Sequence, residues 1–399
     1  MQLIEQYIFR RVLTMTVSTL VVVTVIVLAT QLLNRVAMLT RTQEAMTTFL
    51  KLAGLLTPSM AMLVIPFALL VGIMRTMSAM NADSELAVLE ASGRSPAATA
   101  RPIVALSIAF TLLSLANAHL LEPWSNRTLR LVIAEATADL VRTAAQAGTF
   151  QMFGRGSYIQ IAEQLPGGDF GKVVIVDTRD PKTELLYYAK RGALIERDEG
   201  ALFLLVDGQV HRKNKLDGNV SIIDFASTAL DFSQFLGRVQ SSVNRPQEMA
   251  TSYLFAPDPS DKVALKAPHE LRREIHRRFS EWLYPLLFGL IAVYFAGSAR
   301  TTRQQQPAHL MAGGLIALVL RALGFISVSN AGSSFFFAAI TYAVPIGGII
   351  VFAALILANT RMPRAVTELA ASAAAPFAAL YERVAGRFFP RQGAQGGHT

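Results

Sequence analysis

Six apolar segments constrain the fold of this chain more than any other feature of its sequence. The hydrocarbon core of a bilayer is about 30 Å thick, so a helix that crosses it needs about 20 mostly apolar residues. Only 16% of the residues are charged, against about 25% in a typical soluble domain. We therefore predict a polytopic α-helical membrane protein with six spans, at residues 12–33, 52–74, 102–121, 279–298, 308–329 and 335–359.

The net charge of +9 could also indicate a nucleic-acid-binding protein. Its distribution favours a membrane instead. Residues 122–278 hold 21 basic and 20 acidic side chains, whereas the apolar remainder of the chain holds 16 basic and 8 acidic ones. Basic residues that punctuate apolar runs follow the positive-inside rule of membrane proteins.

The basic residues also predict the orientation of the spans. The first segment is too long for a cleaved signal peptide, so we expect a retained anchor with both termini cytoplasmic. Residues 122–278 then lie on the other side, which in a Gram-negative bacterium is the periplasm, and the chain is an inner-membrane protein. Twelve basic residues face the cytoplasm in this arrangement: Arg10, Arg11, Arg75, Arg94, Arg101, Arg300, Arg303, Arg361, Arg364, Arg383, Arg387 and Arg391.

Residues 122–278 have the pattern of an all-β domain inserted between spans 3 and 4. Short β-rich runs alternate with turn signals such as Pro-Gly-Gly and Asp-Gly, which is typical of a sandwich or a jelly roll. Segments 128–146 and 269–278 have helical spacing and are expected to connect the domain to the spans. The tail, 361–399, is basic and expected to be partly disordered. The predicted strands are 157–162, 173–177, 184–190, 201–206, 220–225 and 228–232.

Motifs for catalysis or metal binding are missing from the sequence. There is no cysteine, and the six histidines show no paired-ligand spacing. Gly171 and Lys172 resemble the end of a phosphate-binding loop, but Pro166 stands where the motif requires its first glycine. No nucleophile elbow is present. We therefore expect a chain that is not an enzyme and holds no metal or cofactor.

Basic residues inside and beside the spans are candidates for contact with an anionic ligand. Arg321 interrupts span 5, where a charge costs roughly 2.5–3.5 kcal/mol on insertion scales. It either contacts an anionic substrate or forms an ion pair with Glu281 of span 4. Arg35, Arg41 and Lys51 cluster at the outer mouth of spans 1 and 2, where the charge rule usually excludes basic residues. A phosphorylated lipid head group would explain them, and snorkelling anchors are the alternative.

The connection between spans 2 and 3 predicts a short amphipathic helix over 76–93. Met77, Met80, Leu86 and Leu89 lie at near-helical spacing, and Gly93 is the expected stop. Its acidic residues, Asp83, Glu85 and Glu90, oppose binding to an anionic lipid surface. A groove on a partner protein, filled by the Met and Leu side chains, is the better fit.

The stretch from Ser84 and Glu85 through Leu-Ala-Val-Leu-Glu-Ala-Ser to Gly93 resembles the coupling helix of the lipopolysaccharide export permeases, the LptF/LptG (YjgP/YjgQ) family. The family has six spans with a periplasmic β-jellyroll between the third and fourth, as predicted here. Two stretches, Pro-Trp-Ser-Asn-Arg at 123–127 and Gln-Ala-Gly-Thr-Phe-Gln at 146–151, look more like the LptF branch.

The resemblance implies a permease subunit that extracts lipopolysaccharide from the inner membrane and passes it to a periplasmic bridge. Expected partners are an LptG-like permease, an LptB-like ATPase dimer that binds ATP and Mg, an LptC-like anchored protein and an LptA-like bridge. The resemblance implies Arg35 as a substrate contact, and Arg321 lies on the corresponding fifth span. Arg41 is predicted to join them because of its position at the outer mouth. The implied ATPase contacts are Ser84, Glu85, Leu86, Leu89 and Glu90.

Two other functions stay open on the sequence. One is a permease of the MacB/FtsX or lipoprotein-release type, which usually has four spans with its domain after the first. The other is a membrane scaffold without a transport role, in which Arg321 and Glu281 form a structural pair.

Overall fold

The computed structural model describes residues 3–33, 45–93, 96–133, 151–152, 156–165, 169–180, 182–197, 200–215, 217–231, 245–259, 261–297 and 306–359. We number the helices and strands in chain order. The helices are α1 (Leu3–Leu33), α2 (Ala45–Ala82), α3 (Glu85–Ala91), α4 (Pro96–Ala116), α5 (Thr251–Phe255), α6 (Lys262–Lys266), α7 (Pro268–Glu281), α8 (Tyr284–Ala296), α9 (Gln306–Asn330) and α10 (Phe335–Leu357). The strands are β1 (Gln151–Met152), β2 (Ser157–Gln164), β3 (Phe170–Asp177), β4 (Thr183–Arg197), β5 (Gly200–Asn214) and β6 (Val220–Asp231).

The six predicted spans are confirmed. Within the described residues, six helices are long and apolar enough to cross a membrane. These helices extend beyond most of the predicted limits of the spans, because a helix can continue past the point where hydropathy falls. Their bounds are Leu3–Leu33, Phe49–Ala82, Ala98–Ile133, Pro268–Ala296, His309–Asn330 and Phe335–Leu357.

The third span contains a π-helical turn, Asn117–Leu121, between two α-helical stretches. Such turns are rare and occur mostly as single-turn bulges inside α-helices. Here the side-chain amide of Asn117 donates a 2.8 Å hydrogen bond to the carbonyl of Pro58 in α2. This bond ties spans 2 and 3 together away from the connection that joins them in sequence.

The structure divides into two compact units. One contains residues 1–27, 58–121 and 268–399, and the other contains 28–57 and 122–267. The first unit has its core around α8, where Leu287, Phe288 and Ile291 are fully buried. Gly289 brings α8 close to α4, because a Cβ at this position would lie 2.6 Å from the Cβ of Ser107.

The second unit contains one six-stranded antiparallel sheet whose strands follow one another in the order β1 to β6. The β domain between spans 3 and 4 is therefore confirmed. The predicted runs 220–225 and 228–232 are a single strand, β6, and β1 was missed. A four-span layout with the domain after the first span does not fit this arrangement.

A line of missing pairs crosses this sheet. Regular pairing skips Ala162, Lys172, Lys190, Asp207 and Ala226, each of which lies opposite the next, while the residues on both sides stay paired. Lys172 and Asp207 have left-handed backbones, with φ of 52° and 53°. We call this line the sheet crease. The gap lies at the same level in five neighbouring strands, and each strand continues beyond it.

Candidate functional site

The short helix α3 lies between spans 2 and 3, as the sequence predicts, but it begins later. Residues 76–82 are the last turns of α2, and Asp83 and Ser84 form a turn before α3 begins at Glu85. Ser84 has a left-handed backbone with φ 60°, which costs a non-glycine residue about 1–2 kcal/mol. The single helix predicted over 76–93 is therefore wrong: a sharp joint separates the span from the helix.

The predicted stop of α3 is confirmed. Gly93 has φ 76°, and its N–H donates a 3.0 Å hydrogen bond to the carbonyl of Glu90. The N–H of Ser92 donates a second bond, also 3.0 Å, to the carbonyl of Val88. These bonds satisfy carbonyls that the end of a helix leaves without partners.

The apolar side of α3 is packed against this chain. Leu86 is only 2% exposed and belongs to the same core cluster as Met77 and Met80 of α2 and Ile8 and Val12 of α1. The prediction that Met77 and Met80 fill a partner's groove is therefore wrong, because both are buried on α2. Leu89 is partly buried against the same cluster. The side of α3 left exposed carries Ala87, Val88, Glu90 and Ala91, with Val88 67% exposed.

Glu85 is held by the first span. A guanidinium nitrogen of Arg11, Nη1, donates to both of its carboxylate oxygens, at 2.8 and 3.0 Å. The hydroxyl of Tyr7, one turn earlier on α1, lies 3.3 Å from one of the same oxygens and accepts a 2.6 Å bond from Arg11. The other terminal nitrogen of Arg11, Nη2, lies 3.5 Å from the carboxylate of Asp83. From the sequence alone, Arg11 is predicted only to help set the orientation of the first span, because nothing local indicates its partner.

Arg321 forms the ion pair that one of its two interpretations expects. Its Nη2 lies 3.3 Å from the carboxylate of Glu281, and both side chains are about 5% exposed. The guanidinium also lies 4.4 Å from the ring centres of Tyr284 and Phe325. Arg321 is thus enclosed in this conformation, and a contact with substrate stays a prediction.

Glu281 also forms an ion pair with a second arginine, Arg277. Arg277 donates to it at 3.0 Å and to Glu274 at 2.8 Å, while Arg278, fully buried, also pairs with Glu274 at 2.8 Å. Buried charges are tolerated only when paired in this way. The first turns of span 4 and Arg321 of span 5 therefore form a connected network of five acidic and basic side chains.

Two of the predicted substrate contacts, Arg35 and Arg41, lie outside the described residues. Lys51, their neighbour in the prediction, lies exposed on α2. No group of three or more acidic or histidine side chains that could hold a metal occurs in the described part of the chain.

The sheet has an apolar strand at one edge. β6 pairs with β5 on one side, and no described strand pairs with its other side. Val220, Ile222 and Ile223 are each more than half exposed, although neighbouring residues of a strand point to opposite faces. Exposed apolar edges are templates for strand addition.

Comparisons with known proteins agree with this geometry. The family model "Lipopolysaccharide export system permease LptF/LptG" matches residues 6–359. Similar proteins include the lipopolysaccharide export system permease protein LptF of Escherichia coli (strain K12) and that of Shigella flexneri. Each is 30% identical over 190 residues, which is 47% of this chain and 50% of the relative. The chain thus spans about half the length of the curated relatives it matches.

Proposed function

Because the chain belongs to the LptF/LptG family of lipopolysaccharide export system permeases, we propose that it is one permease subunit of an ABC transporter that extracts lipopolysaccharide from the inner membrane. The transporter passes this lipid to a periplasmic bridge that leads to the outer membrane. An LptG-like permease, an LptB-like ATPase dimer and an LptC-like anchored protein complete the complex. ATP and Mg bind to the ATPase, and this chain performs no covalent chemistry.

One observation carries the proposal: α3 is a short helix between two membrane spans, separated from span 2 by a sharp joint, with one side packed on this chain and the other exposed. When a partner protein displaces such a helix, the movement can be transmitted to the two spans that the helix connects. The exposed side carries Val88 and Glu90. Of the residues predicted from the sequence, we assign ATPase contact to Ser84, Glu85, Leu89 and Glu90. Leu86 is buried in this chain and instead holds the helix in place.

The mechanism follows from how α3 is connected. ATP binding and hydrolysis in the partner displace α3, and spans 2 and 3, which it joins, move with it. The bond between Asn117 and Pro58 makes these two spans move together. Their movement opens and closes a cavity that faces the outer leaflet.

The lipid is held in two ways. Apolar surfaces of the spans take its acyl chains, and Arg35 and Arg41 take its phosphates through charge-assisted hydrogen bonds. Arg321 joins them when its pair with Glu281 opens. Basic residues cluster on the termini and on the connections that lie on the same side of the spans as the termini. By the positive-inside rule this side is cytoplasmic, so the β domain is periplasmic.

The bridge continues the sheet of this chain. The unpaired side of β6 accepts a strand from an LptC-like or LptA-like protein by β-augmentation. The exposed Val220, Ile222 and Ile223 then become buried in the extended sheet.

Charge reversal at Glu85 tests the proposal. In the complex purified from native membranes, Glu85→Arg should prevent the ATPase from copurifying and should abolish lipopolysaccharide release. The reason is that a cation replaces the carboxylate that the ATPase recognises. Asp169→Arg, the same reversal at an exposed turn of the sheet, is the matched control and should change neither. The proposal fails if Glu85→Arg keeps both ATPase association and release.

A further inference from the structure

The carboxylate predicted to meet the ATPase already has a partner inside the chain. Glu85 accepts two hydrogen bonds from Arg11, at 2.8 and 3.0 Å. The two residues are 74 positions apart and belong to different membrane segments, the first span and the helix after the second. An ion pair between residues so distant in sequence links one segment directly to the other.

Arg11 also reaches across the joint in front of α3. Its second terminal nitrogen lies 3.5 Å from Asp83, which precedes the left-handed Ser84, whereas Glu85 follows it. One planar guanidinium therefore contacts both sides of the turn. A lysine, with a single ammonium, could not make both contacts in this geometry.

Apolar packing lies directly beside this contact. Ile8 and Val12 of α1 are fully buried in the cluster that contains Leu86. Apolar contact is itself non-directional. The charged hydrogen bonds of Arg11 supply the direction that the packing lacks.

We infer that Arg11 fastens α3 to the first membrane span, so that a displacement of α3 is passed to α1 as well as to the spans that flank it. This inference rests on the proposed function, since it takes α3 as the helix that the ATPase moves. It adds a third span to the two that the chain connectivity already joins to α3. Arg11 is a positioning residue: it acts through Glu85 and Asp83 rather than on the lipid.

The link between α3 and α1 can be tested without a partner protein. The sequence has no cysteine, so cysteines placed at the exposed Gln6 and Val88 can be spin-labelled specifically. In the full chain in nanodiscs, the distance between the two labels should show one narrow distribution. Arg11→Gln and Arg11→Lys should both broaden it, because neither can bridge the joint.

Arg10→Gln is the matched control. Arg10 is one position earlier on α1, is exposed, and makes no ion pair with a described residue. The control loses the same charge and should keep the narrow distribution. A distribution unchanged in Arg11→Gln, or broadened equally by Arg10→Gln, would overturn the inference.

A second measurement separates this inference from the proposed function. In the reconstituted complex, Arg11→Gln should keep the ATPase bound but lower the lipopolysaccharide released per ATP hydrolysed by about fivefold, the equivalent of about 1 kcal/mol. Glu85→Arg should instead lose the ATPase. Arg11→Gln with an unchanged ratio refutes only the fastening, whereas an ATPase that never associates with the unsubstituted chain refutes the proposed function.

Discussion

Glu281 and Arg321 illustrate how a buried charge depends on its neighbours. Glu281 has two cationic partners, Arg277 at 3.0 Å and Arg321 at 3.3 Å. Among the described residues, Glu281 is the acidic group that pairs with Arg321, and the Nε of Arg321 has no hydrogen-bond partner there. Loss of the carboxylate therefore leaves a buried arginine uncompensated, whereas loss of the arginine leaves a carboxylate that is still paired.

This asymmetry gives a prediction. Glu281→Gln should lower the free energy of unfolding by about 3 kcal/mol or more, the usual cost of an uncompensated buried charge. Arg321→Met should cost less, about 1 kcal/mol, because Arg277 still neutralises Glu281. Combining the two should recover part of the loss caused by Glu281→Gln alone. Thermal unfolding of the detergent-solubilised chain measures all three.

Glu270→Gln, on the same helix as Glu281, is the control and should be nearly neutral. Equal losses in Glu281→Gln and Arg321→Met would contradict the asymmetry. The double variant also tests the proposed lipid contact, because it removes Arg321 without leaving an unpaired charge. If Arg321 binds lipid phosphate, the complex with this double variant should release less lipopolysaccharide than a complex with a variant of equal stability that keeps Arg321.

The two ion pairs differ in how far the sequence could predict them. Arg321 and Glu281 stand out because one interrupts an apolar run and the other lies near the start of one, so a pair between them was one of two interpretations. Arg11 has an ordinary role in topology, and Glu85 has an ordinary role on an exposed helix. Their contact depends on how α1 packs beside α3, which no local pattern encodes.

At the scale of single elements, α3 is short enough for its ends to decide its stability. It has seven residues, fewer than an isolated helix needs in water. Its first residue follows a left-handed serine, and its last turn is closed by Gly93. The buried Leu86 and the Arg11 contacts hold it from the other side.

Substitution of Gly93 tests the closure. Gly93→Ala should destabilise α3 by about 1–2 kcal/mol, because a non-glycine residue resists the left-handed backbone. No atom lies within 4 Å of a Cβ built there, so the cost is conformational and not steric. Gly93→Asn should cost less, since asparagine tolerates this conformation. Hydrogen exchange of the α3 amides is the measurement, with faster exchange expected for the alanine variant.

Gly54→Ala serves as the reference. Gly54 lies inside α2 and also has no atom within 4 Å of a built Cβ, so alanine should be neutral or slightly stabilising there. If Gly93→Ala leaves exchange in α3 unchanged, the left-handed stop does not support the helix.

The sheet shows what sequence patterns can and cannot tell about an element. The predicted runs end at Ala162, Lys190, Val206 and Phe225, and one begins at Val173. Each of these limits lies on or next to the sheet crease, and the strands continue beyond it. The interruption of the β pattern therefore marks a gap in the pairing within the strands and not their ends. Only cross-strand pairing distinguishes the two, and pairing is not local.

At the scale of the whole molecule, the spans were predictable because a bilayer demands apolar length whatever the tertiary contacts are. The placement of the β domain followed from the same count. The division of residues 76–93 between α2 and α3 was not predictable, because hydropathy falls gradually there while the backbone turns at one serine. Composition thus predicts the architecture, and packing decides the joint on which the proposed coupling depends.

The central proposal is that a complex containing this chain moves lipopolysaccharide at the expense of ATP. Proteoliposomes holding the complex and lipopolysaccharide measure it directly, with a soluble bridge protein outside as acceptor. We predict transfer to the acceptor that requires ATP and Mg and is lost in Glu85→Arg. Transfer without ATP, or none in a complex whose ATPase is bound and active, would contradict the account.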